Sequence, residues 1–268
     1  MVLAVGLSTT DMNLARPYDP VHFVGATNYS DHLHSSDFRA AVWTTVVIIG
    51  PAVLLEMVLG VGLAVWLARP FRGRAFARGA MLAPYLLTPI VIGNYFRMFY
   101  SAEFGQLNYY LGLLGLTDGQ TAWITDPGTV SWAIVAMEVW HTTPFVALLV
   151  LAGLMSIPQE PLQAALVDGA TRWTRFRYVV LPLLAPILIA TVALRAMDAL
   201  QIFDEVYVLT GGGPGHLSEV FNLYLYKVGF RQFLLGTTSA AAIFLVAAVA
   251  VLGVIAAQAR RWQTRSAA

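Results

Sequence analysis

Along the chain, apolar residues gather into five long runs at about 41–68, 77–99, 129–154, 182–208 and 236–258, separated by shorter polar connections. Crossing a hydrocarbon layer of roughly 30 Å takes about 20 helical residues, and each run is long enough. The pattern predicts an all-α membrane protein, a polytopic helical bundle with five full spans. Residues 2–7 are also apolar but far too few to cross. The expected division is an outer-side N-terminal segment over 1–40, a transmembrane domain over 41–258 and a basic tail over 259–268.

The connection between the third and fourth runs has its own order. Residues 151–186 read LAGLMSIPQEPLQAALVDGATRWTRFRYVVLPLLAP. Ser156, Pro158 and Pro161 open a short helix, and Asp168-Gly169 closes it after about two turns, because glycine ends helices well. Thr171 is placed to cap a second segment. There Trp173, Phe176 and Val180 share one face and Arg172 and Arg175 another. A broken helical hairpin of this kind, over 155–181, is a docking element lying on the inner face of the membrane.

Charge supplies the orientation. Arg69, Arg72, Arg74, Arg78, Arg172, Arg175, Arg177, Arg260, Arg261 and Arg265 fall on one side if all five runs span. Arg16, Arg39, Lys227 and Arg231 fall on the other, and Arg97 and Arg195 lie inside runs. By the positive-inside rule the richer side is cytoplasmic. The docking hairpin and C-terminus therefore face inward, and residues 9–40, 101–128 and 210–235 face outward.

Composition narrows the function classes. Hydrophobic residues make up 58% of the 268 and charged ones 12%, against roughly 25% charged in soluble domains. Mean hydropathy is +0.67. The absence of cysteine removes disulfides, thiolate metal sites and cysteine nucleophiles, and so few basic residues argue against nucleic-acid binding. A phosphate-binding loop needs a lysine after its second glycine, whereas the only lysine, Lys227, precedes Val228 and not a Gly-Lys-Ser/Thr motif. GGGPG at 211–215 is thus no nucleotide cradle, and a pump built on this chain borrows its ATPase from another. No zinc-protease or serine-hydrolase motif is present, no cofactor or metal is expected, and His32 and His34 read as solvated residues of the outer segment.

Polar groups inside spans are costly and face a cavity or a partner. Glu138 lies about 14 Å in from the outer end of its run, followed by Trp140, His141, Thr142 and Thr143. In the fourth run Arg195, Asp198, Gln201 and Glu205 trace a polar stripe at helical spacing. Arg195 and Asp198 can pair three residues apart, or the stripe can line a hydrophilic path. Trp140 and Gln201 suit contact with a polar solute best, with Glu138 and Asp204 placed on the same path, while Glu56 and Arg97 read as structural. Residues 103–116 suggest a short interfacial helix pair, and 216–235 an amphipathic stretch carrying Phe221, Tyr224, Leu225, Val228 and Phe233. A secondary transporter or channel would share these midspan polar groups, but needs no docking hairpin and tends to carry internal repeats, which are not found here. A membrane enzyme would have only Glu138 and His141 to work with.

The hairpin resembles the cytoplasmic loop of permease subunits of binding-protein-dependent ABC importers. The motif reads Gln163-Ala164-Ala165, Asp168-Gly169-Ala170 and Val179-Val180-Leu181-Pro182. FVGATNYSDHL, FRGRAFARGAMLAPYLLTPIV, GQLNYYLGLLGL, WITDP and FDEVYVLTGGGPG are similar to signatures of the carbohydrate-type subgroup, in the same order. The resemblance implies the type I importer fold and a multi-pass position in a bacterial cytoplasmic membrane. It also implies ATPase coupling through Gln163, Ala164, Ala165, Asp168, Gly169, Arg172, Leu181 and Pro182. Implied partners are an ABC ATPase dimer, a second and different permease, membrane lipid, and an outer solute-binding protein that meets loops such as Gly211, Gly212, Gly213 and Pro214. The motif usually opens on Glu where this chain has Gln163, so a charged contact becomes a neutral one. Family members usually carry an additional first helix, and MVLAVGLSTTDMNLARP resembles its outer end; the chain is expected to lack part of that helix.

Overall fold

A computed structural model describes the backbone of residues 1–266 and the side chains of 1–259. Every regular element described is helical. In chain order they are α1 (Val2–Ser8), α2 (Thr27–His34), α3 (Ser36–Ala68), α4 (Arg74–Met81), α5 (Pro89–Phe99), α6 (Gln106–Leu113), α7 (Val130–Ser156), α8 (Gln159–Val167), α9 (Arg172–Arg175), α10 (Leu181–Ala199), α11 (Asp204–Leu209), α12 (Phe221–Tyr226) and α13 (Leu235–Ser266). Among the described residues four helices are long and apolar enough to cross a membrane: α3, α7, the continuous run Arg172–Ala199 and α13 as far as Ala259. The basic side chains of the 259–268 tail lie outside the described ones.

The expected span over 77–99 is not one helix. It breaks between α4 and α5, where Pro84 and Pro89 interrupt the hydrogen-bond ladder. Thr88, preceding Pro89, is extended at φ −71°, ψ 145°, as pre-proline sterics favour. The expected span over 182–208 likewise ends at Ala199, and the chain turns through 200–203 before α11. Asn222 Nδ2 donates to the Leu200 carbonyl at 3.0 Å, satisfying an acceptor that the break releases. The polar stripe from Arg195 to Glu205 is therefore divided between two helices. Residues 103–116 hold one helix, α6, preceded by a turn rather than a helix pair.

The chain forms two compact units. The first comprises Met1–Pro51, Thr88–Met137 and Asp198–Val251. Its core packs Phe38 and Ala41 of α3 against Phe221, Tyr224, Val228 and Ala241, with Leu225 partly buried against them, so the expected amphipathic face of 216–235 is real for its first four members, while Phe233 is exposed. His32 joins this core instead of facing solvent: it is 2% exposed. Its Nε2 meets the Thr237 carbonyl at 2.8 Å and its Nδ1 the Tyr224 hydroxyl at 3.2 Å. At Gly93 of α5 an added Cβ would lie 2.8 Å from the Glu205 carbonyl oxygen, so glycine permits the close packing of α5 on α11.

The second unit comprises Ala52–Leu87, Glu138–Met197 and the chain from Leu252. Ala64 and Leu67 of α3, Val146, Val150 and Leu151 of α7 and Leu184 of α10 make its apolar core. α4 folds onto the same core through Ala77 and Met81, and Arg78 Nη2 donates to the Leu67 carbonyl at 3.0 Å, closing the C-terminal turn of the apolar part of α3.

Candidate coupling site and buried charge cluster

The hairpin is built from backbone chemistry that its sequence dictates. At the end of α8, Gly169 takes φ +75°. Its N–H donates to the Leu166 carbonyl at 3.1 Å, and that of Ala170 to the Ala165 carbonyl at 2.9 Å. This pair of bonds is a Schellman closure, which glycine adopts without Cβ strain. Thr171 follows in extended conformation and its hydroxyl accepts the Thr174 N–H at 3.2 Å, the N-cap that opens α9. From there α9 passes through one π-helical turn (Phe176–Val180) into α10. The hairpin's second arm and the span it feeds are thus one helix of 28 residues, Arg172–Ala199.

Gln163, Ala164, Asp168, Gly169, Arg172 and Pro182 are exposed, Leu181 is half-buried and Ala165 is buried. Beside them Val167 is 89% and Trp173 71% exposed, with the Trp173 ring 6.0 Å from that of Phe176. Apolar side chains flanked by arginines are thus exposed on a polar connection.

Deeper in the same unit, three helices converge on one guanidinium. Arg195 of α10 donates from Nε to Glu56 Oε2 at 2.7 Å and from Nη2 to Glu56 Oε1 at 3.0 Å. Nη2 also reaches Glu138 Oε1 at 2.9 Å and Thr142 Oγ1 at 3.4 Å. Arg195, Glu56 and Glu138 are 1%, 0% and 5% exposed. Thr142 in turn donates to the Glu138 carbonyl at 2.8 Å. The bidentate fork on Glu56 of α3 is invisible in sequence, because 139 residues separate the partners. Trp140, on the same helix as Glu138, is 43% exposed.

In the first unit, Gln201 occupies the turn after α10 and Asp204 opens α11, both exposed. Gly211 and Gly212 take φ +62° and +95°. The loop is pinned from within: Gly212 N–H donates to Thr210 Oγ1 at 3.2 Å, and Ser218 Oγ to the Gly213 carbonyl at 2.6 Å. Buried Glu219 accepts from Lys227 and lies 2.8 Å from His216 Nδ1. A Cβ on Gly212 would stand 2.9 Å from Lys227 Nζ, so Gly212 suits both the left-handed backbone and the ion pair beneath it.

Residues 38–267 match the family described as binding-protein-dependent transport system inner membrane component. The trehalose/maltose transport system permease protein of Thermococcus litoralis is 39% identical over 205 residues, 76% of this chain and 69% of that one. The trehalose transport system permease protein of Mycobacterium tuberculosis is 35% identical over 252 residues, 94% of this chain and 79% of that one. Among solved structures, a chain of a bacterial ABC transporter involved in the import of the acidic polysaccharide alginate superposes with TM-score 0.82 at 22% identity, covering 97% of this chain and 88% of that one. That likeness establishes the fold.

Proposed function

Because the chain belongs to the inner-membrane components of binding-protein-dependent transport systems and is a permease subunit of an ATP-driven importer, we propose that it carries a sugar or sugar-like solute and is driven through α8 and α9 by a separate ATPase dimer. The sugar reading rests on the relatives named for trehalose and maltose. The observation that carries the coupling reading is the junction at Gly169-Thr171, where a rigidly closed α8 meets a helix continuous with a span. Gln163, Ala164, Asp168, Gly169 and Arg172 present the ATPase contact, and Leu181 and Pro182 open the span that follows. A solute-binding protein docks outside, against the Gly211, Gly212, Gly213 and Pro214 turn, and a different permease completes the pair.

ATPase closure on ATP pushes the α8–α9 hairpin, and because α9 and α10 are one helix the span moves with it. The cavity opens outward, takes the solute from the binding protein, and returns inward after hydrolysis. Swinging such a two-state equilibrium from 1:99 to 99:1 needs about 5.5 kcal/mol of differential binding. Of the residues expected to meet solute, Glu138 is instead buried and bonded by Arg195. We assign solute contact to exposed Trp140 in the second unit and, separately, to exposed Gln201 and Asp204 in the first, where amide and carboxylate suit hydroxyls and the indole suits the apolar face of a sugar ring.

Gly169→Val tests the coupling. A β-branched residue at φ +75° costs about 1 kcal/mol or more and misaims α9, although no atom within 4 Å blocks the added Cβ. Uptake is expected to be abolished with the subunit still in the membrane. Normal uptake by this variant would overturn the assignment of the hairpin.

A further inference from the structure

The first unit holds a cleft that the assigned solute path leaves unused. It has a volume of about 560 Å3 and lies between α5 and the outer connection, lined by Asn94, Arg97, Met98, Ser101, Phe104 and Ile124 among others. This falls within the roughly 300–1,000 Å3 of small-molecule sites. α5 is otherwise apolar, buries Ile92, Gly93 and Phe96, and exposes Ile90, Val91, Tyr95 and Met98. Asn94 and Arg97, three apart on one face, are both exposed. A charged side chain on such a helix faces a water-filled space or protein, not lipid.

The chemistry of the lining is asymmetric. Arg97 is its one charged member, and among the described residues no carboxylate pairs with it. Its guanidinium makes a single long bond, from Nη1 to the Val208 carbonyl at 3.5 Å, leaving most of its five donors available. Asn94 uses one amide hydrogen on the Ile90 carbonyl at 3.0 Å and keeps its carbonyl oxygen and second hydrogen. The walls are held in place: buried Asn108 donates to the carbonyls of Ser101 and Thr121 at 3.1 and 2.9 Å and accepts Trp123 Nε1 at 2.8 Å. A forked cation, an amide, and apolar walls from Met98, Phe104 and Ile124 fit a hydroxylated ring that bears an anionic group.

We propose that this cleft is an outer subsite for an acidic sugar, with Arg97 gripping the carboxylate, sulfonate or phosphate and Asn94 the hydroxyls. The inference rests on the reading of the chain as a sugar permease and adds the charge of the solute to it. The test uses the assembled transporter in phosphatidylcholine nanodiscs, without ATP, titrated with glucuronate and with glucose by saturation-transfer NMR. Glucuronate is expected to bind and glucose to bind at least tenfold more weakly. Arg97→Gln is expected to weaken glucuronate roughly 10- to 100-fold, as for the loss of one charge-assisted hydrogen-bonded pair, and Arg97→Lys to restore part of that loss. Equal binding of glucuronate by wild type and Arg97→Gln overturns the proposal. So does loss of glucuronate binding in phosphatidylglycerol nanodiscs, which would assign the cleft to a lipid headgroup. Binding is read without ATP or transport, so an empty cleft in a transporter that still couples through Gly169 overturns this proposal alone.

Discussion

Arg195 is the residue on which most depends. Its guanidinium is shared by Glu56 and Glu138 and all three are buried, so removing the cation strands two carboxylates. Breaking a buried pair costs about 3–5 kcal/mol, a large part of the stability of most domains. Arg195→Ala and Glu56→Ala are therefore expected to lower membrane abundance several-fold. Trp140→Ala, at a residue 43% exposed and outside the ion cluster, should lower abundance less than either and reduce uptake. Quantifying subunit in membranes separately from transport checks this division. An abundant, inactive Arg195→Ala subunit would move the cation into the solute path.

At the scale of elements, small residues set how closely the helices approach. An added Cβ on Gly60 of α3 would lie 2.6 Å from Val146 Cγ1 of α7, inside the core of the second unit, so any side chain there must push α7 away. Overpacking of this kind costs about 1–3 kcal/mol. Gly60→Leu is expected to lower the melting temperature of the purified subunit by several degrees, and Val146→Ala to recover part of the loss caused by Gly60→Ala. Unchanged melting in both single variants would show that the two helices separate freely. Elements with local causes were readable in the sequence: Gly169 closes α8, Thr171 caps α9, and the apolar runs became α3, α7 and α13. What escaped was set by distant partners. The Leu200 carbonyl is satisfied by Asn222, Arg195 finds Glu56 across 139 residues, and His32 is drawn into the core by Thr237 and Tyr224. Pro84 and Pro89 were visible, yet the length and apolarity of 77–99 suggested a span that their missing N–H groups break.

For the whole molecule, the proposed function puts the decisive contact outside this chain. The first residue of the docking motif is Gln163, exposed on α8 next to exposed Ala164 and two residues before buried Ala165. One face of α8 is thus seated on its own unit while Gln163 is exposed, where the proposed function puts the ATPase. A neutral amide can donate and accept, so it satisfies a partner of either sign without the desolvation cost of a carboxylate. Gln163→Glu is expected to retain ATPase association, tightening it where the partner offers arginine. Gln163→Arg adds a fourth cation to a hairpin that already carries Arg172, Arg175 and Arg177, and should weaken association, more so at low salt where screening is least. Co-purification of the ATPase with each variant at two ionic strengths measures both effects. Equal recovery of the ATPase with Glu and Arg at this position would show that Gln163 makes no contact and would move the interface to the exposed Val167 of α8 and Trp173 of α9.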